Sequence, residues 1–153
     1  MTKRGFTLPE IIIAVAFFGI LLGLVTISLF NARSRTVQGA TIDILISDLK
    51  EQQIKSMSGF NDMSYGIRLE PDKYILFEGD SFISGATTNF EIVLDSSLTI
   101  SDILLPGSEI VFQNGSGEVL GFVGGQNTFM INSEPGNFSK AVIVNRLGVL
   151  DIE

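Results

Sequence analysis

Cysteine, histidine and tryptophan are all missing from the 153 residues. Without histidine or cysteine, the common nucleophile–base pairs and most zinc sites cannot be built. No disulfide can form either, so any folded domain depends on its hydrophobic core alone. Twelve phenylalanines with no tryptophan read as core and membrane contact, not as a base-stacking platform. Positive charge is also scarce: 10 Lys and Arg stand against 17 Asp and Glu, a net charge of −7. Such a surface repels nucleic acid and anionic lipid. Internal repeats and low-complexity tracts are absent, and the length leaves room for one anchor and one small domain.

The remaining candidates for chemistry are weak. The carboxylate pairs Glu70/Asp72 and Glu78/Asp80 read as solvated hairpin charges rather than acid–base or calcium-binding groups. Gly115-Ser116-Gly117 lacks the spacing of a phosphate-binding loop and falls between strands rather than before a helix. Asn114-Gly115-Ser116 and Asn137-Phe138-Ser139 match the glycosylation sequon, the first being better explained as a type I′ turn. No catalytic residue, metal ligand or cofactor is expected.

What the chain does carry is an apolar run behind a basic start. Residues 11–30 are 20 positions without a charge, which at helical rise is about 30 Å, the thickness of a bilayer's hydrocarbon. A single acid, Glu10, stands at its mouth, where leaving a carboxylate ionised costs several kcal/mol unless a cation meets it. The natural remedy is a partner outside the chain. A general secretory signal has a shorter apolar region ending in a small-x-small site, whereas this run ends Leu29-Phe30-Asn31-Ala32-Arg33. A lipoprotein signal needs a cysteine. A plain transmembrane anchor gives no reason for Glu10 beside Gly5-Phe6. The positive-inside rule decides little, because Lys3 and Arg4 before the run are matched by Arg33 and Arg35 after it.

The junction Gly5-Phe6-Thr7-Leu8-Pro9-Glu10, with Lys3-Arg4 before it, closely resembles the class III signal of type IV pilins and type II secretion pseudopilins. The resemblance implies that a prepilin peptidase cuts between Gly5 and Phe6 on the cytoplasmic face and methylates Phe6. The methylated amine stays basic and charged. Glu10 becomes the fifth residue of the mature chain, and in that family it pairs with the N-terminal amine of a neighbouring subunit. Losing Lys3 and Arg4 would leave eight cations against 17 acids, a net charge of −9. The leader must face the cytoplasm, which implies a single-pass inner-membrane protein with its N-terminus inside and its C-terminal domain outside. Gly19 and Gly23 form a GxxxG pattern that lets helices approach closely in lipid. The proline that loosens the membrane helix of many pilins is absent here, where the sequence reads Val25-Thr26-Ile27-Ser28.

Between Asn31 and Met57 there is no proline, and Gly39 is the one glycine, so the helix is expected to continue. Ile42, Leu45, Ile46 and Leu49 fall on one face, Met57 rejoins it, and Asp43, Ser47, Lys50, Glu51 and Lys55 lie opposite. Val37, Ile44 and Ile54 lie off the stripe and are free to face another subunit. Ser58-Gly59 stops the helix. From Tyr65 onward, short β-type runs alternate with turn residues. Strands are expected at 65–69, 74–78, 90–94, 98–103, 109–113, 118–123, 128–131, 141–145 and 149–152.

The expected fold is therefore α+β: a long N-terminal helix, membrane half plus amphipathic half, with a C-terminal antiparallel β-sheet domain packed on it. The layout is a leader at 1–5, an assembly helix at 6–30, its amphipathic continuation at 31–58 and an exported domain at 59–153. The segment Ile110-Val111-Phe112-Gln113-Asn114-Gly115 is similar to a hairpin of H-type minor pseudopilins, one residue shorter. The ending from Val142 to Val149 is similar to that family's final hairpin. Fimbrial-T minor pilins carry basic residues near the C-terminus to grip DNA, but this tail holds Asp151 and Glu153. Lys140 and Arg146, six apart, would share a face of a regular strand and form the one cationic patch there.

The expected function is a structural subunit of a type IV pilus-like or type II secretion filament. Its partners would be the prepilin peptidase, other pilin or pseudopilin subunits, the assembly platform and the membrane, with no nucleic acid. The alternative is a membrane-anchored binding module for DNA uptake or adhesion, which the acidic balance disfavours.

Overall fold

The computed structural model of the chain describes residues 8–133 and 138–153. Helical backbone is assigned over α1 (Leu8–Met57), but the chain divides into two units within it, Met1–Val37 and Gln38–Glu153. The side chains described in the helix fall mainly in two stretches, 8–23 and 39–57. In the first, every described residue is exposed. In the second, Ile42, Leu45, Ile46 and Leu49 are buried, and the buried stripe continues through Gln52 and Ser56. Met57 is exposed and does not rejoin the stripe as the spacing suggested.

The second stretch ends where expected. Ser58 N–H still donates to Ile54 O at 2.9 Å, and Gly59, at φ 65, turns the chain out of the helix. Eight strands follow: β1 (Tyr65–Leu69), β2 (Lys73–Glu78), β3 (Phe90–Val93), β4 (Leu98–Leu104), β5 (Glu109–Phe112), β6 (Thr128–Ser133), β7 (Phe138–Val144) and β8 (Leu150–Ile152). They form two four-stranded sheets, ordered β3-β2-β1-β5 and β4-β6-β7-β8, with every pairing antiparallel.

One core holds the second unit together. The helix stripe meets Ile67, Leu69, Tyr74, Ile110 and Phe112 from the first sheet and Ile100, Phe129, Ile131, Val142 and Val144 from the second. Alternation along the strands explains this, since residues two apart share a face. The other face of the first sheet is also covered. Phe77 is buried there beneath Phe82, ring centroids 5.7 Å apart and edge to face, and the Arg68 guanidinium lies 4.8 Å above Phe82. Gly66 lies opposite Phe77 in the register, and an added Cβ would come within 2.6 Å of that ring.

The expected fold class is overturned on two counts. Among the described residues no helix is long and apolar enough to cross a membrane. The stretch that packs, 39–57, belongs with the β strands in the unit Gln38–Glu153 and serves two sheets rather than one. A long membrane-plus-amphipathic helix carrying a single sheet is thus not what the chain forms.

The strand expected at 118–123 is also missing. Only isolated bridges form there, Phe112 with Val119 and Val123 with Gln126. Gly117, Gly121 and Gly125 all take positive φ, which breaks the extended run. The proposed type I′ turn does not form either: Gly115 has positive φ but Asn114 does not, and Gly117 N–H closes a longer loop onto Gln113 O at 2.9 Å.

Candidate assembly surface

The residues singled out in the sequence lie mostly at the N-terminal end. Gly5 and Phe6 are outside the described residues. Glu10 sits in the first turn of α1, where a carboxylate complements the partial positive charge of the exposed N–H groups. Gly19 and Gly23 are exposed, and an added Cβ at either would meet nothing within 4 Å. Around them the large apolar side chains of this stretch are uncovered on every side, from 46 % exposed at Leu21 to 75 % at Leu8. A helix that is apolar all round belongs against a greasy environment, either lipid or other protein.

In the second unit, Ile44 and Ile54 are exposed, off the buried stripe, as their spacing indicated. The side chain of Val37 lies outside the described ones. Asp48, on the same stretch, accepts a hydrogen bond from the Tyr74 hydroxyl at 2.6 Å. Burial, reinforced by that carboxylate, holds the Tyr74 phenol well above the ordinary tyrosine value. Tyr65 is raised as well, first by burial and then by Glu78 nearby. Neither tyrosine was picked out from the sequence, although both fall on the inward phase of an alternating strand.

The last turns of the helix dock two loops through polar groups. The Gln53 amide donates to Gly117 O at 3.1 Å and to Leu147 O at 2.8 Å. Ser56 Oγ accepts from Tyr65 N–H at 3.0 Å, and Ser56 O accepts from Gly115 N–H at 2.8 Å. Gly148 packs so closely that an added Cβ would collide with the Gln53 amide and come within 2.9 Å of Phe112. The available signal was the polar pair Gln52 and Ser56, three and seven residues beyond Leu49 in the apolar register.

The charged groups pair among themselves. Glu70 meets Arg68 at 3.4 Å and Lys73 at 3.7 Å, and Lys73 meets Glu91 at 3.0 Å. The Glu91 hydrogen bond is the main cause that raises the Lys73 ammonium. Asp72 and Asp80 are exposed. No group of three or more His, Cys, Asp or Glu suited to a metal occurs among the described residues. Lys140 lies within β7, but Arg146 falls in the turn beyond it and pairs with Glu118 at 3.4 Å. The two cations therefore do not share a strand face.

Comparison with known proteins returns no match, whether by family model, characterised protein or solved structure.

Proposed function

We propose that this chain is a structural subunit of a pilus-like or secretion-type filament, matured by cleavage after Gly5 and methylation of Phe6. Before assembly it is held at the cytoplasmic membrane through its apolar N-terminal residues, with the second unit outside. The observation that carries this reading is the uncovered apolar surface of residues 8–23 and Val25, interrupted by the one acid Glu10. A surface of that kind is stable in water only when something covers it, and packing against copies of itself supplies the cover. The Gly5-Phe6 junction adds the specific chemistry: processing there exposes a basic amine on Phe6, four positions before the Glu10 carboxylate. A neighbour's amine and Glu10 then set the register in which apolar helices pack. Gly19 and Gly23, with open space around them, permit close approach at that interface.

The test is incorporation. Glu10→Leu makes the segment more apolar, so membrane association should be kept or improved. Sheared filaments should nevertheless contain much less of the variant than of the wild type, by quantitative immunoblotting. Equal incorporation would show that electrostatic capture plays no part.

A further inference from the structure

The four edges of the two sheets are not equally guarded. Along β4 the pairing shifts between Ser101 and Leu104, with Asp102 at φ 47. Beside β5, Leu120 N–H donates to Val111 O at 2.8 Å, so that edge is partly covered. β8 is only 3 residues long. By contrast, β3 has no proline and no irregularity, and its outer edge meets no other described strand. Phe90 and Val93 are 65 % and 68 % exposed on it. An open, regular, apolar edge is a template for a further strand.

A groove of about 500 Å³ lies alongside, between this edge and the helix stretch 39–57. Ile44, Leu76, Phe90 and Ile92 give it an apolar wall, while Asp48, Glu51 and Glu78 make its charge negative. The one cation in its lining, Lys55, is already engaged by Glu51 at 2.8 Å.

We propose that the β3 edge and this groove capture an extended peptide segment whose groove-facing residues, every second one along it, are in turn apolar and lysine or arginine. The segment adds to the first sheet as a fifth strand, its backbone bonding to the open edge. Apolar side chains settle on the groove wall, and long cationic side chains reach the acids over their aliphatic stems. A second copy of this unit is a poor occupant. Gln38–Glu153 holds six cations against 16 acids, a net charge of −10, so two such edges meeting would repel. The inference stands apart from the filament reading, since it concerns only the second unit.

The experiment titrates fluorescein-labelled Lys-Thr-Leu-Thr-Lys-Thr-Leu amide, which sets lysine and leucine on one face of a strand, into the full chain in a non-ionic detergent, read by anisotropy. Binding should weaken about tenfold or more in Phe90→Lys and separately in Glu51→Lys. Both positions are exposed, so the variants should keep the wild-type circular dichroism. The bound peptide should also slow amide exchange within 90–93. Two control peptides fix the chemistry: replacing leucine by serine should weaken binding to a similar degree, and replacing lysine by glutamate should abolish it. Equal binding of the serine peptide, or unchanged exchange within 90–93, overturns the proposal. So does self-association of the chain through cross-links at β3, which would make a second copy the occupant.

Discussion

Tyr74 shows how a single side chain ties the helix to the sheet. Its ring is buried in the shared core, and its hydroxyl donates to Asp48 on the helix at 2.6 Å. A hydrogen bond to a charged acceptor of this kind contributes about 1.5–3 kcal/mol, so Tyr74→Phe should lower stability by about that amount at neutral pH. The same pair makes stability depend on alkaline pH. Folding raises the phenol's pKa, so its contribution is complete below about pH 10, the ordinary tyrosine value, and is lost as pH rises through the folded value. Tyr65 acts in the same direction. Denaturant melts between neutral pH and the alkaline limit should show wild-type stability falling above about pH 10, and less steeply in Tyr74→Phe. An identical alkaline slope in the variant would mean that burial, with the Asp48 contact, does not hold the phenol protonated. Gly148 offers a second residue-level test. With φ 76 and no room for a Cβ against Gln53 and Phe112, Gly148→Ala should cost about 1–3 kcal/mol, measurable by the same melts.

Among elements, the helix stretch 39–57 was the most legible in sequence, and the reason is its spacing. Ile42, Leu45, Ile46 and Leu49 lie three and four apart, and all four are buried. Ile44 and Ile54 lie off that face and are exposed. Leu49→Asp would bring an unpaired charge into the core and should unfold the unit, because burying an ion without a partner costs far more than a domain's margin of stability. Ile54→Asp should leave it folded. Thermal melts followed by circular dichroism distinguish them, and equal loss at both positions would refute the assignment of faces. The stripe's continuation was not legible, because Gln52 and Ser56 are polar and a hydropathy pattern stops at Leu49. Both are buried, and Ser56 supplies hydrogen-bond acceptors to the loop after β5 and to the start of β1. The β strands were readable from alternation and turn residues, apart from 118–123. That run looked apolar enough for a strand, but the positive-φ glycines at 117, 121 and 125 hold it as a loop resting on β5.

For the whole molecule, charge and hydropathy are divided along the chain. Residues 1–37 carry four cations and one acid, while 38–153 carry six cations and 16 acids. The uncovered apolar side chains of 8–23 and Val25 belong to the cationic part. This division was visible in the composition. What was not visible was that the units part between Val37 and Gln38, because the helical pattern runs on from Asn31 to Met57 with only Gly39 near that point. The second unit instead takes the helix from Gln38 onward into its own core. Under the proposed function the acidic unit is the exposed part of an assembly, and the apolar residues are covered by their counterparts in other copies. All of this begins with the processing of the N-terminus. Mass spectrometry of the chain purified from its native membrane measures it directly. The account predicts a mature protein beginning with an N-methylated Phe6, and a chain that stays uncut when Gly5 is replaced by a bulky residue. An intact Met1, or a terminus near Ala32, would contradict it.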